Sequence, residues 1–212
     1  SVHDQILWDA SCEDRDDGRM RGPFSSCEEL AADLGSSKFV ISRRFGVVQP
    51  DKVRPCDDAR TSRANRATGQ RRKVVLSSAD RVASHARLVA SLFPGQRIVM
   101  WKRDHKSAYR QVLLTRSARR FAVIAFCHPN TGQTTLWYHL CLPFGLTAAV
   151  IGYNRLSQAI TFLANKAFWI PCDSFFDDFW SIEAEKLAED SFERFGFLND
   201  ILGLVLKTSK DS

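Results

Sequence analysis

The segment Phe175–Trp180, with the sequence FFDDFW, decides how this chain folds. Its two adjacent carboxylates are flanked by aromatic residues on both sides, which is an unusual setting for a solvated acidic pair. The surrounding stretch Trp169–Trp180 predicts a strand, a tight turn and a second strand. Carboxylates in apolar surroundings are costly to desolvate, and a divalent cation would offset that cost. The pattern therefore indicates either a metal site or a turn-capping role.

A third carboxylate, Asp104, lies 73 residues upstream in the segment IVMWKRDHKSAY. The apolar stretch Arg97–Asp104 predicts a strand, so Asp104 would end it or cap the turn that follows. Three carboxylates carried by two apolar strands are the minimum set for holding catalytic magnesium. Two further pairs are less informative: Asp16-Asp17 lies in a charged run, and Asp57-Asp58 would order a hairpin or pair with nearby arginines.

The charge is distributed very unevenly along the 212 residues, although the net charge is only +6. Residues 1–37 carry nine acidic and three basic side chains, whereas residues 38–120 carry five acidic and 21 basic ones. Residues 121–212 are again acidic, with ten acidic and six basic side chains. A block as basic as the middle third favours a polyanionic partner such as nucleic acid or a nucleoside triphosphate.

The composition excludes several classes of protein. With 44% hydrophobic residues the chain can bury a substantial core, and it lacks an apolar stretch of the roughly 20 residues that a membrane helix needs. The acidic start has no signal-peptide pattern, so we expect a nuclear or cytoplasmic protein without a membrane partner. The six cysteines form no CxxC pair, and we expect them to be reduced rather than to bind zinc.

Hydrophobic periodicity and turn signals predict an α+β fold, with an antiparallel sheet and helices packed on one of its faces. The predicted hairpins pair Arg44–Gln49 with Lys52–Arg54, and Phe121–Pro129 with Thr134–Gly145. The predicted helices are Cys27–Leu34, Ser77–Phe93, Thr147–Lys166 and Ser181–Phe195, and Leu202–Leu206 is a last short strand.

Five segments, taken in order, resemble the motifs of reverse transcriptases from eukaryotic retroelements. WKRDHKSAYRQV is similar to motif A, LPFGLTAA to motif B and FFDD to motif C. RRFGVVQPDKVRPCDDAR resembles the upstream fingers motifs, and GLVLKTSKDS is similar to motif D. Together the five segments extend from about Arg43 to Lys210.

The resemblance implies a right-hand polymerase core made of fingers and palm. Residues 1–37 would be a lead-in, residues 38–96 a basic fingers segment and residues 97–212 the palm, with a fingers hairpin inserted at about 115–141. No thumb is expected within this sequence, and the oligomeric state is left open.

The resemblance also implies roles for individual residues. Asp104, Asp177 and Asp178 would bind two Mg²⁺ ions, with Mn²⁺ as a possible substitute, and Lys210 would act as general acid for the leaving pyrophosphate. The residues expected to contact the incoming nucleotide are Lys52, Arg54, Tyr109, Phe144 and Gly145.

The implied activity is RNA-directed DNA polymerisation: nucleotidyl transfer from dNTPs to a primer 3′-hydroxyl on an RNA or DNA template. The alternative is an inactive retroelement remnant that binds nucleic acid without catalysis. A two-metal nuclease has less support, because no His or Glu cluster lies near the aspartates in the sequence.

Overall fold

The computed structural model describes residues 2–50, 52–69, 74 and 76–208 of the 212-residue chain. The helices are Val2–Asp16 (α1), Cys27–Leu34 (α2), Ala79–Leu92 (α3), Thr147–Ala167 (α4) and Glu185–Ile201 (α5). The strands are Met20–Phe24 (β1), Ile41–Val48 (β2), Val53–Asp57 (β3), Ile98–Asp104 (β4), Val123–Cys127 (β5), Thr134–His139 (β6), Cys172–Phe175 (β7) and Asp178–Ala184 (β8). The predicted α+β class is confirmed.

The chain divides into two compact units, and each is built around its own sheet. The first unit comprises Ser1–Arg71 and Val112–Val150 and holds a five-stranded sheet in the order β1-β6-β5-β2-β3. The second comprises Arg72–Gln111 and Ile151–Ser212 and holds the three-stranded sheet β4-β8-β7.

The sheet of the first unit is mixed, because β2 runs parallel to β5 whereas its other pairs are antiparallel. Both predicted hairpins, β2–β3 and β5–β6, are confirmed, although Asp51 in the first turn lies outside the described residues. The lead-in is part of this unit: β1 pairs with β6, and Leu30 of α2 is fully buried in a cluster with Val123.

A buried ion pair fastens β2 to β3. Nε of Arg44 donates to Oδ1 of Asp57 at 2.8 Å, and Nε2 of His139 lies 2.8 Å from Oδ2 of the same carboxylate. All three side chains are buried. Asp57 therefore pairs with Arg44 and His139, rather than with the arginines that are nearest to it in the sequence.

The second unit packs helices against both faces of its antiparallel sheet. Neighbouring residues of a strand point to opposite faces, and Phe179 contacts Phe195 of α5 whereas Trp180 contacts His85 of α3. The prediction of helices on one face is therefore wrong. The rings of Phe179 and Trp180 are both buried, so each face of the sheet must be packed against another element.

Two predicted helix boundaries also need correction. Ser181–Ala184 continue β8, and α5 begins only at Glu185, because these four buried residues pair with β4 and so stay in the sheet. The N-cap of α3 is Ser78, whose hydroxyl accepts from the amide of Arg81, rather than Ser77. The predicted strand Leu202–Leu206 is reduced to a single bridge between His105 and Leu206.

Candidate functional site

A two-residue turn joins β7 to β8 and places Asp177 at its tip. Phe175 pairs with Asp178, which leaves Phe176 and Asp177 as the central turn residues. Phe176 has a φ of +54°, and Asp177 is not among the residues with positive φ. A positive φ at the first central position alone matches a type II′ turn, which suits the twist of a hairpin. Glycine is usual there, so Phe176 is held in a strained conformation.

The strand pairing brings the predicted carboxylates to one place in the second unit. Asp104 is the last residue of β4, and its cross-strand partner is Asp178, the first residue of β8. Directly opposed residues point to the same face with Cβ atoms about 4.5–5.5 Å apart. Asp177 precedes Asp178 in the turn, so all three carboxylates gather at this end of the sheet.

The electrostatics of the site are those of a negative cluster that positive charges compensate only in part. Burial raises the pKa of Asp177, the negative charges of Asp104 and Asp178 raise it further, and its own backbone N–H and Lys207 oppose the change. The pKa of Tyr109 is also raised, first by burial and then by Asp177. A positive charge placed among these groups would lower their repulsion.

Lys207 already supplies one positive charge, on Asp104. Its Nζ donates to Oδ2 of Asp104, and the two side chains retain 31% and 12% of their exposure. The other oxygen of Asp104, Oδ1, is buried and has no hydrogen-bond partner among the described residues. As they stand, no three His, Cys, Asp or Glu side chains of the described ranges form a group that could hold a metal ion.

The backbone around Lys207 is fixed against the end of β4. The amide of Lys207 donates to the carbonyl of Asp104 at 2.8 Å, and the amide of Lys106 donates to the carbonyl of Val205 at 2.8 Å. The side chain of Gln111 donates to Val205 O at 2.9 Å and accepts from Val205 N at 2.7 Å. This short segment therefore presents Lys207 to the carboxylates in a defined register.

Tyr109 packs against Tyr153, and Tyr153 is the first member of a buried series of hydrogen bonds. Its ring stacks on Tyr153 of α4, with centroids 4.6 Å apart. The amide of Asn199 donates to Phe195 O, so its Oδ1 accepts from Nε2 of His105 at 2.8 Å. Nδ1 of His105 then accepts from the Tyr153 hydroxyl at 2.5 Å. These hydrogen bonds fix the orientation of the imidazole ring of His105, the residue that immediately follows Asp104.

No protein-family model matches this chain, and no curated protein matches it either. The geometry of the site therefore carries the functional argument.

The remaining residues predicted to contact nucleotide belong to the first unit. Lys52 and Arg54 are exposed on the β2–β3 hairpin, with Arg54 opposite Val47. Phe144 is 51% exposed. Gly145 has a φ of +100°, and an added Cβ would lie 2.5 Å from the carbonyl oxygen of Asp57. The backbone conformation and the packing therefore require glycine here, whether or not a nucleotide binds. Lys210 lies outside the described residues.

Sequence reasoning missed Lys207, His105 and Tyr153. Lys207 lies in the LVLKTSK segment, in which the resemblance assigns the functional role to Lys210. The sequence offers only the presence of a second lysine, three residues before Lys210, to indicate Lys207. A lone histidine and a tyrosine on an apolar helix stripe carry no signal that they meet. In the described part of the chain, no helix is long and apolar enough to cross a membrane.

Proposed function

We propose that this chain is the fingers and palm of an RNA-directed DNA polymerase of the reverse-transcriptase kind. The observation that carries the proposal is the cross-strand pair Asp104–Asp178 with Asp177 in the adjoining turn. Two-metal nucleotidyl transfer needs carboxylates close enough together to hold two ions about 3.5–4 Å apart, and paired strand ends can bring them that close. The resemblance of five ordered segments to the polymerase motifs supports the same function.

The three carboxylates have the ligand chemistry that a pair of divalent cations requires. Asp104 has a buried oxygen without a hydrogen-bond partner in the described ranges. The pKa of Asp177 is raised first by burial and then by the charges of Asp104 and Asp178, and a cation would oppose both effects. Carboxylate oxygens are the ligands that Mg²⁺ prefers, and Mn²⁺ accepts the same set. When bound, two Mg²⁺ ions would lower the pKa of a primer 3′-hydroxyl and stabilise the leaving pyrophosphate.

The other side chains would bind and orient the substrate. Tyr109, buried and stacked on Tyr153, would pack against the sugar of the incoming dNTP. The exposed bases Lys52 and Arg54 would hold its phosphates, Arg54 through its bidentate fork. The resemblance also implies that Phe144 and Gly145 would lie beside the nascent base pair and that Lys210 would be the proton donor.

The basic middle third supports a nucleic-acid partner. Residues 38–120 carry 21 basic side chains, and those that lie on the surface would hold the phosphates of an RNA or DNA template and its primer. A protein that acts on such a template would work in the nucleus or the cytoplasm.

Primer extension tests the proposal. The chain is incubated with a primed RNA template, dNTPs and Mg²⁺, and compared with Asp104→Asn, Asp177→Asn and the matched control Asp173→Asn. Asp173 lies on the same hairpin but pairs with Arg81 at 3.0 Å. We expect extension by the wild type and the control, and a loss of at least about 1000-fold in both site variants. Extension that persists in Asp177→Asn contradicts the assignment.

One observation favours the alternative, a nucleic-acid-binding protein without catalysis. Nζ of Lys207 already donates to the carboxylate of Asp104, one of the three proposed metal ligands. This alternative predicts binding of RNA whose affinity falls steeply with salt, together with no nucleotide incorporation at any concentration of Mg²⁺ or Mn²⁺. Incorporation that depends on Asp104 excludes it.

A further inference from the structure

The contact between Lys207 and Asp104 has the geometry of an exchangeable cation site. Nζ of Lys207 binds Oδ2, while Oδ1 of the same carboxylate is buried and unpartnered within the part of the chain that the structure describes. A half-satisfied buried carboxylate is unfavourable, and a divalent cation satisfies both oxygens where an ammonium on one side does not.

We propose that Lys207 is an internal counter-ion that occupies the cation position at Asp104 in the metal-free chain and competes with divalent metal for it. This inference rests on the proposed two-metal site, which it extends by assigning a role to Lys207. Lys207 is then the residue that sets how much free metal the site needs.

The competition is direct because the two cations share an oxygen. A divalent cation held by both oxygens of Asp104 would take up Oδ2, and the like charges of an ammonium and a divalent ion repel strongly at ligand distances. The ammonium must therefore leave Oδ2 before the metal binds. Lys207 can do so without unfolding, because its side chain retains 31% of its exposure.

The displaced lysine stays near the site because its backbone is fixed. The hydrogen bonds of Lys207 N to Asp104 O and of Gln111 to Val205 hold the segment in register, whether or not the side chain contacts the carboxylate. The return of Nζ to Asp104 is then an intramolecular step with a high effective concentration. A tethered competitor of this kind weakens metal binding at every protein concentration.

Lys102 provides a matched control. Its Nζ lies 3.8 Å from Oδ1 of Asp178, and its side chain is 58% exposed. It places the same charge beside the same carboxylate cluster, but it makes a looser contact and none with Asp104 is described. A general effect of nearby positive charge would appear equally in Lys102 and Lys207 variants.

The test measures Mn²⁺ binding to the chain alone, by calorimetry and by the loss of the electron paramagnetic resonance signal of free Mn²⁺. The proteins compared are the wild type, Lys207→Met and Lys102→Met. We expect Lys207→Met to bind Mn²⁺ roughly three- to tenfold more tightly, the size of effect that follows when a partly buried ion pair no longer has to be broken. Lys102→Met should change the affinity by less than about twofold. Equal affinity of Lys207→Met and the wild type, weaker binding, or an equal gain in Lys102→Met overturns the proposal.

Lys207→Arg keeps the test decisive if the methionine variant folds poorly. Arginine retains the charge and can grip both carboxylate oxygens, so its Mn²⁺ affinity should equal or fall below that of the wild type. An arginine variant that binds Mn²⁺ more tightly contradicts competition by charge. Failure of the proposed function has a different signature: no Mn²⁺ binding in any variant and no primer extension, whereas equal binding with normal extension overturns the role of Lys207 alone.

Discussion

The hydroxyl of Ser157 donates a hydrogen bond to the carbonyl of Phe176, 2.8 Å away, and so joins α4 to the turn that carries Asp177. Ser157 is 1% exposed, and its contact reaches the strained residue of the turn directly. Thr161, one helical turn later, lies 3.3 Å from the hydroxyl of Ser174 on β7. The helix therefore holds the hairpin at two points, and the position of Asp177 depends on α4.

Replacing Ser157 with alanine should loosen the turn. The change leaves the carbonyl of Phe176 without its buried donor, and we expect a loss of about 1 kcal/mol in the free energy of unfolding. Chemical denaturation measures this loss. Ser91→Ala, at an exposed hydroxyl that bonds only within α3, is the control and should be nearly neutral. An effect of the same size in both variants would rule out a tether specific to the turn.

Asp57 should make the free energy of unfolding of the chain depend on pH. Burial would raise the pKa of Asp57, but Arg44 and His139 together hold it well below its usual value. A carboxylate whose folded pKa is depressed contributes stability above its unfolded pKa, about 3.9, and loses it progressively as the pH falls below that value.

Asp57→Asn therefore leaves Arg44 as a buried charge without its carboxylate. We expect a loss of about 3 kcal/mol near neutral pH, and the difference from the wild type should shrink below about pH 4. Denaturation series between pH 3 and pH 8 measure it. The neighbouring Asp58, which caps a turn by accepting from Thr61 N, is the matched control, and Asp58→Asn should show a much smaller change at every pH.

Trp169 occupies a left-handed position at the end of α4, where its φ is +55° and its side chain is 82% exposed. The amide of Ile170 reaches back to Ala164 O at 2.9 Å, so the backbone needs this conformation, which glycine usually provides. Trp169→Gly should stabilise the chain by about 1 kcal/mol and raise the melting temperature by about 2–4 °C. Trp169→Ala removes the same ring but keeps the strain, so an alanine variant as stable as the glycine variant would contradict this explanation.

Asp177→Asn should stabilise the metal-free chain while it abolishes the proposed activity. The charge of Asp177 is disfavoured first by its burial and then by the two neighbouring carboxylates, so its removal should stabilise the chain by about 1 kcal/mol. Thermal melts in the presence of a chelator should show the gain. Mg²⁺ should then stabilise the wild type more than the variant; a variant that melts below the wild type without metal would show that the repulsion is unimportant.

Local patterns predicted much of the fold. The helix over Thr147–Lys166 was visible as an apolar stripe, and both hairpins of the first unit were visible as alternating runs around turn signals. The hairpin at Phe175–Asp178 was predicted from its composition alone. These elements are determined by residues close together in the sequence, which is why local reasoning found them.

Long-range packing was not predictable in the same way. Ser181–Ala184 have polar and apolar residues that suit either a helix or a strand, and their pairing with Ile98–Trp101 on β4 decides for the strand. The ion pair between Asp104 and Lys207 could not be predicted from local patterns, because the two residues lie 103 positions apart in the sequence. A sequence shows which residue types are present, whereas these contacts depend on where the tertiary structure places them.

The pairing of β1 with β6 has a consequence for any shortened form of the protein. β6 carries the buried rings of Trp137 and Tyr138, and β1 covers its outer edge through Met20 and Phe24. A chain that begins at residue 38 would expose a hydrophobic strand with unpaired backbone groups, which is a template for joining another copy. We therefore expect forms that lack residues 1–37 to self-associate more readily than the 212-residue chain.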